Sequence, residues 1–164
     1  MNAVEDSHLA HYLDSPLYAM QEKFDGRRLL VRKLHGKVTG INRRGLETGL
    51  PAKIVRSASR LPPDFIIDGE AVDDILHAFD LLKVNNEDLR NRPYRERLDR
   101  LTRLLDRYEQ ENISLVHTAF RKGEKNRLFD RLRKFEREGM VFKRLDAPYV
   151  PGRPATGGTQ VQVQ

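Results

Sequence analysis

The amino-acid sequence predicts a mixed α+β fold of mainly antiparallel sheets flanked by helices. Short β-rich runs alternate with helical runs through the middle of the chain, a pattern typical neither of a helix bundle nor of a β-sandwich. Asp25-Gly26 and His35-Gly36 are turn signals that separate successive β-rich runs. With 164 residues, of which 38% are hydrophobic, the chain can form one core but is too short for two ordinary domains. We therefore expect a single domain over residues 1–164.

The order of elements follows from periodicity and from turn residues. Strands are predicted at residues 18–24, 28–34, 37–41, 65–67, 75–82, 113–116, 140–143 and 159–164. Helices are predicted at residues 52–61, 95–107 and 121–137. The first three strands form a meander in this scheme. Pro51 takes the first position of the short helix, and Gly139 closes the third helix.

The composition limits the kinds of partner and chemistry. A formal net charge of +6 and a sequence pI near 9.7 favour polyanions such as nucleic acid, although the charges of the two longer helices also suit solvated faces with ion pairs. The sequence contains no cysteine, so any metal must be held by oxygen or histidine, and no histidine has ligand-like spacing beyond His8 and His11. No apolar run approaches the roughly 20 residues of a membrane span. The first fifteen residues carry Glu5, Asp6 and Asp14, where a secretory signal would carry positive charge and an apolar run. We expect a cytoplasmic protein that has no membrane contact.

Lys23-Phe24-Asp25-Gly26-Arg27-Arg28 is the most informative segment for chemistry. It places a lysine at the end of a strand, beside a turn, with two arginines a few residues further on. A lysine nucleophile reacts in its unprotonated form, which neighbouring cations and partial burial both favour. Taken alone, such a segment is more often a hairpin turn that carries a solvated lysine than a catalytic site.

Further segments make an ordered set of motifs that resembles the ATP-dependent DNA ligases of the covalent nucleotidyltransferase superfamily. These segments are Lys23-x-Asp25-Gly26-x-Arg28, Asn42-Arg43-Arg44-Gly45 (with Asn42 in place of the family's serine), Asp68-Gly69-Glu70, the segment from His77 to Leu82, and Glu138-Gly139-x-Val141-x-Lys143. The resemblance covers nearly the whole chain from about Leu17. It implies an ATP-grasp-like nucleotidyltransferase (adenylation) domain, without the family's carboxy-terminal OB-fold domain.

The resemblance also implies a reaction and its residues. Lys23 would attack the α-phosphate of ATP to give lysyl-AMP, and AMP would then pass to the 5′-phosphate of nicked or broken double-stranded DNA before the ends are sealed. The residues implied in catalysis are Lys23 and Lys143. Those implied in nucleotide binding are Glu22, Lys23, Arg28, Arg43, Glu70, Phe79 and Lys143, with Phe79 offering a flat face to adenine. Glu70 and Glu138 would hold Mg²⁺, and the protein is expected to act as a monomer.

Each of these residues also has a plain structural interpretation. Phe79 lies in an apolar run and could simply be core, Glu70 could cap a turn, and Glu138 could be the solvated end of a helix. Lys143 could be a strand-end charge that points outward. The ordered set of motifs favours the functional interpretation, most weakly for Phe79, Arg43 and Arg28.

The end of the chain departs from the family pattern. The family has Lys-x-Lys where this sequence has Gln162 and Gln164, and glutamine carries no charge to stabilise phosphate. Adenylation could therefore be impaired. Two alternatives to a DNA ligase stay open on the sequence alone, namely a catalytically weakened nucleotide- or nick-binding module and a related RNA ligase.

Overall fold

A computed structural model describes residues 2–3, 8–108, 110–151 and 160–163 of the chain. The predicted mixed α+β architecture with mainly antiparallel strands is confirmed. Among these residues no helix has both the length and the apolar character needed to cross a bilayer.

Twelve strands and four helices are found in the described residues. The strands are β1 (Asn2–Ala3), β2 (Tyr18–Glu22), β3 (Arg27–Leu34), β4 (Lys37–Ile41), β5 (Glu47–Thr48), β6 (Phe65–Val72), β7 (Ile75–Val84), β8 (Glu87–Asp88), β9 (Ile113–Leu115), β10 (Thr118–Ala119), β11 (Met140–Arg144) and β12 (Gln160–Val163). The helices are α1 (Leu9–Asp14), α2 (Ala52–Arg60), α3 (Tyr94–Arg107) and α4 (Lys122–Lys134).

A five-stranded sheet contains the strands from the two ends of the chain, in the order β1-β12-β11-β2-β10. Its centre is antiparallel, with Val141 of β11 opposite Gln21 of β2 on one side and Gln162 of β12 on the other. One face packs against α1 and α4, where Met20, Phe142 and Leu128 belong to a buried apolar cluster. Burial of such side chains stabilises the sheet by about 1.5–3 kcal/mol for each residue.

A seven-stranded sheet contains the middle of the chain. Six strands follow the order β5-β4-β3-β6-β7-β8, and β9 adds to β7 in parallel. The larger buried cluster lies between this sheet and the apolar faces of α2 and α3, with Ile54 and Leu101 as helix members and Leu29, Ile67 and Leu76 as strand members. The spacing of the leucines in α3 predicts this packing.

The predicted meander is only partly correct. β3 and β4 form an antiparallel hairpin, but β2 and β3 lie in different sheets, so the Asp25-Gly26 segment is a crossing between sheets. A Cβ atom on Gly26 would lie 2.4 Å from the carbonyl oxygen of Ala71, so glycine allows the chain to pass close against β6. Lys23 therefore lies where the two sheets meet.

Several predicted boundaries also differ, among them the end of β2, which lies at Glu22 rather than at Phe24. Asp68-Gly69-Glu70 does not follow a strand but continues β6, because all three residues pair with β3. Helix α4 ends at Lys134 rather than at Gly139, since Glu136 takes a left-handed conformation (φ 47°) and the Arg137 N–H bonds back to the Leu132 carbonyl. Pro51 is the N-cap of α2 rather than its first helical residue, which is Ala52.

Candidate active site between the two sheets

A cleft of about 270 Å³ lies where the two sheets meet. It is lined by side chains from both sheets and from the crossing segment between them. The eight site residues predicted from sequence all line it: Glu22, Lys23, Arg28, Arg43, Glu70, Phe79, Glu138 and Lys143. The chain thus gathers these residues in one place, while the role of each stays a prediction.

Lys23 lies just beyond the end of β2. Its backbone N–H donates to the Gly139 carbonyl oxygen at 3.0 Å, which ties it to the start of β11. Its amine forms an ion pair with the Glu138 carboxylate. The two side chains are 15% and 33% exposed, so the pair is partly shielded and still open to the cleft.

Arg28 is held by a bidentate ion pair. Its Nε donates to Asp68 Oδ1 at 3.1 Å and its terminal nitrogen donates to Asp68 Oδ2 at 2.7 Å. Asp68 is fully buried, and Tyr149 donates a hydroxyl hydrogen bond to the same carboxylate at 3.4 Å. Burial alone would lower the pKa of Arg28, but the hydrogen bond and charge of Asp68 outweigh it and raise the pKa. The guanidinium is therefore a fixed positive charge in the cleft wall.

Lys143 and Phe79 are in direct contact. The Lys143 amine lies 3.8 Å from the centroid of the Phe79 ring and 5.0 Å from that of Tyr94. Burial lowers the pKa of Lys143 to about 7, against smaller opposing contributions from Asp80 and Asp68. The Lys143 amine thus covers part of the Phe79 ring, and the Arg28 guanidinium carbon also lies 5.6 Å from its centroid, so a base stacks on Phe79 only where these two groups leave the ring open or after they move away.

Arg43 reaches the cleft from the turn that joins β4 to β5. The Asn42 side-chain oxygen accepts hydrogen bonds from the backbone N–H groups of Arg44 at 2.9 Å and Leu46 at 3.1 Å. This is the asparagine that replaces the family's serine, and its side chain still fixes the turn. The Arg43 and Arg28 charges also act on Glu70, but burial dominates there and raises the pKa of this carboxyl.

β12 brings glutamine rather than lysine to the cleft. Its residues alternate, with Val161 and Val163 in the apolar cluster beneath the sheet and Gln160 and Gln162 at the cleft. Gln164 lies outside the described residues. The predicted departure at Gln162 therefore falls at a position that lines the cleft.

Gln21 was missed by the sequence prediction. It is 2% exposed, lines the cleft, and donates from Nε2 to Tyr94 Oη at 3.0 Å and to Thr118 Oγ1 at 2.8 Å. The Tyr94 hydroxyl in turn donates to the Phe79 carbonyl oxygen at 2.9 Å. The sequence signal was a polar residue directly after the apolar run Tyr18-Ala19-Met20, two positions before Lys23. Asp68 was recognised as part of a motif, but its pairing with Arg28 was not predicted.

The carboxylates of the cleft can be compared with what a Mg²⁺ site requires. In the part of the chain that the structure describes, no group of three or more acidic or histidine side chains could enclose a metal ion. Mg²⁺ commonly binds through one or two carboxylates together with water and substrate phosphates. Glu70 and Glu138 fit that kind of site.

The chain belongs to a known family. The profile of the family described as "ATP dependent DNA ligase domain" matches residues 73–157, which is 85 of the 164 residues. A DNA ligase of Methanopyrus kandleri is 34% identical over 124 residues, which cover 73% of this chain and 21% of that protein. A probable DNA ligase of Streptomyces coelicolor is 29% identical over 178 residues, covering 88% of this chain and 35% of that protein.

Solved structures show the same fold. A mycobacterial DNA ligase D complexed with ATP and MES superposes with a TM-score of 0.74 at 23% identity, covering 92% of this chain and 55% of that one. The predicted ligase nucleotidyltransferase fold is thereby confirmed. The chain spans about a fifth to a third of the length of the two curated relatives above, so the activity of a whole ligase is a matter for proposal.

Proposed function

We propose that this chain catalyses ATP-dependent adenylyl transfer through a lysyl-AMP intermediate on Lys23, and passes AMP to the 5′-phosphate of nicked DNA. The observation that carries the proposal is the position of Lys23 in a cleft with three further basic side chains and an aromatic ring, namely Arg28, Arg43, Lys143 and Phe79. Membership of an ATP dependent DNA ligase family supports it.

The chemistry needs one nucleophile and fixed positive charge. The Lys23 nitrogen, after losing its proton, forms a bond to the α-phosphorus of ATP while the bond from that phosphorus to the bridging oxygen breaks and pyrophosphate leaves. A DNA 5′-phosphate oxygen then displaces the lysine nitrogen, and a 3′-hydroxyl finally displaces AMP. Arg28 is held in place by Asp68 before ATP arrives, so it stabilises developing phosphoryl charge with little reorganisation.

Glu138 has two uses in this scheme. Its carboxylate pairs with Lys23 in the free protein, which holds the amine at the cleft. Together with Glu70 it would hold Mg²⁺, which supplies positive charge to the phosphates.

DNA is the proposed partner of the exposed surface of α4. Arg127, Arg131, Arg133 and Lys134 of this helix are all exposed, and none forms an ion pair with a described residue. Unpaired surface cations favour phosphate backbones. The chain runs from this helix into Glu138 at the cleft within four residues.

The two alternatives from the sequence are less favoured. An RNA ligase receives less support, because the family match and both curated relatives concern DNA ligases. A module that only binds nucleotide or nicked DNA is consistent with the uncharged Gln162. This alternative gives no role to Lys23, which is held in an ion pair at the cleft. Magnesium, a monomeric state, a cytoplasmic location and the single-domain organisation stay predictions.

Labelled ATP tests the proposal. The purified protein is incubated with α-³²P-ATP and Mg²⁺ and analysed on a denaturing gel, beside Lys23→Ala and a matched control, Lys37→Ala, at an exposed strand position. We expect covalent label on the parent and on Lys37→Ala and none on Lys23→Ala. Absence of label on a folded parent, or label that persists in Lys23→Ala, contradicts the proposal.

A further inference from the structure

The residue after Lys23 makes a ring contact that no part of the proposed reaction explains. Phe24 and His77 are stacked, with ring centroids 3.9 Å apart and ring planes inclined by 14°. Phe24 belongs to the crossing segment between the sheets, and His77 belongs to β7 in the seven-stranded sheet. Burial lowers the pKa of His77, so the imidazole stacks as a neutral aromatic ring.

The crossing segment is fixed on both sides. On the five-stranded side the Lys23 N–H bonds to Gly139, and on the seven-stranded side Gly26 passes close to the Ala71 carbonyl oxygen. Between these two backbone contacts, the Phe24 ring on His77 is the aromatic contact that joins the segment to the seven-stranded sheet.

β7 also carries the ring predicted to receive adenine. His77 and Phe79 are two residues apart in β7, and the register with β6 shifts between Ala78 and Asp80, so that Phe79 has no partner in β6. Their neighbours Leu76 and Ala78 belong to the apolar cluster on the other face, while Phe79 lines the cleft. A contact from Phe24 to His77 therefore sets the position of Lys23 relative to the strand of Phe79.

We propose that the Phe24–His77 stack positions Lys23 for attack on the α-phosphate, by fixing the crossing segment at a set distance from the Phe79 ring. The proposal rests on the adenylyl transfer proposed above. His77 and Phe24 are positioning residues, since neither is required to touch the reacting atoms. Misplacement of a reacting group by about 1 Å can cost on the order of 100-fold in rate, so a loss of the ring contact should appear in the chemical step.

Single-turnover adenylation of the parent, His77→Ala and His77→Phe is the test, with the rate constant at saturating ATP and the half-saturating ATP concentration measured separately. We expect His77→Ala to lower the rate constant by about 10- to 100-fold, with the half-saturating concentration within about threefold of the parent. His77→Phe restores the rate constant to within about threefold, because the flat ring is what matters. The control is His117→Ala, at an exposed position.

A second pair of variants serves if His77→Ala does not fold. Phe24→Leu keeps apolar bulk and removes the ring, whereas Phe24→Tyr keeps the ring. Phe24 lies in the crossing segment rather than in a strand. Phe24→Leu should lose rate as His77→Ala does, and Phe24→Tyr should retain it.

Backbone hydrogen exchange gives a readout that does not depend on activity. The Lys23 amide should exchange at least about tenfold faster in His77→Ala or Phe24→Leu, and at the parental rate in His77→Phe or Phe24→Tyr. Equal adenylation and equal exchange in ring-lacking and ring-keeping variants overturn the inference while leaving the proposed function intact. A parent without lysyl-AMP overturns the proposed function and, with it, the assigned purpose of the stack.

Discussion

Lys143 is a buried lysine in the wall of the cleft. Its side chain is 8% exposed, and its amine rests on the faces of two aromatic rings rather than in an ion pair with any described carboxylate. Desolvation disfavours the ammonium form more than Asp80 and Asp68 favour it. Near neutral pH the free protein therefore holds this amine only partly protonated, and an entering anion, such as a nucleotide phosphate, would favour the charged form.

The pH dependence of stability follows from this pKa. Above about pH 7 the folded protein has lost the Lys143 proton, whereas the unfolded chain keeps it up to the ordinary value of 10.5. The unfolded state then binds more protons, so Lys143 makes the free energy of unfolding rise by about 1.4 kcal/mol per pH unit in this window. Urea unfolding of the parent and of Lys143→Met at pH 7 to 9.5 measures it. The difference in the free energy of unfolding between the parent and Lys143→Met should change with pH at this slope. A difference that is constant over this pH range contradicts the lowered pKa.

The sequence could predict residues that line the cleft, but not how they pair. Lys23, Glu138 and Lys143 stand out in short motifs. The ion pair of Lys23 with Glu138 joins the ends of two strands distant in sequence, and the contact of Lys143 with Phe79 joins two sheets. Local patterns carry no information on such contacts, because they arise from tertiary packing.

Strand β12 contributes uncharged glutamine side chains to the wall of the cleft. Gln162 lines the cleft and lies opposite Val141, two residues from Lys143 on β11. The charges of Lys23 and Arg28 are already paired with Glu138 and Asp68, and Arg43 and Lys143 are further basic side chains in the lining. An added cation at this position should strengthen phosphate stabilisation.

Gln162→Lys is expected to accelerate adenylation. One added charge-assisted contact to phosphate contributes about 1.5–3 kcal/mol, so the rate constant of lysyl-AMP formation should rise about 10-fold or more. The matched control is Asn86→Lys, which adds the same charge at an exposed turn on another part of the molecule. If both variants behave like the parent, glutamine in β12 does not limit the reaction.

The partly wrong meander shows what periodicity can and cannot predict. The alternating pattern and the His35-Gly36 turn correctly predicted β3 and β4 as a hairpin. The same kind of signal at Asp25-Gly26 failed because β2 pairs with β10 and β11, strands from the far end of the chain. Strand positions are local information, whereas assignment to a sheet is not.

At the scale of the whole molecule, one apolar cluster lies mainly on each sheet, Ala19 of β2 joins the larger one, and the cleft lies where the two sheets meet. Such a junction allows catalytic side chains to project from both sheets without disturbing either core. The fold class was predictable from composition and alternation. The location of the cleft was not, since it depends on which strands enter which sheet.

DNA binding should depend on α4 more than on α3. The double variant Arg127→Glu/Arg131→Glu reverses two exposed charges on α4, and Arg103→Glu/Arg107→Glu reverses two on α3 with the same spacing. We expect the α4 variant to bind nicked duplex DNA at least about 10-fold more weakly and to reduce the salt slope by roughly two, with a smaller effect for α3. Fluorescence anisotropy at several salt concentrations measures both. Equal effects of the two variants contradict an α4 contact surface.

The most direct test of the central claim is to locate the nucleotide on the chain. The protein is incubated with ATP and Mg²⁺, digested with trypsin under conditions that preserve phosphoramidates, and mapped by mass spectrometry. AMP should be found on Lys23 alone. A folded protein that carries no AMP, or that carries it on Lys143 or another lysine, would contradict the assignment of Lys23 as the nucleophile.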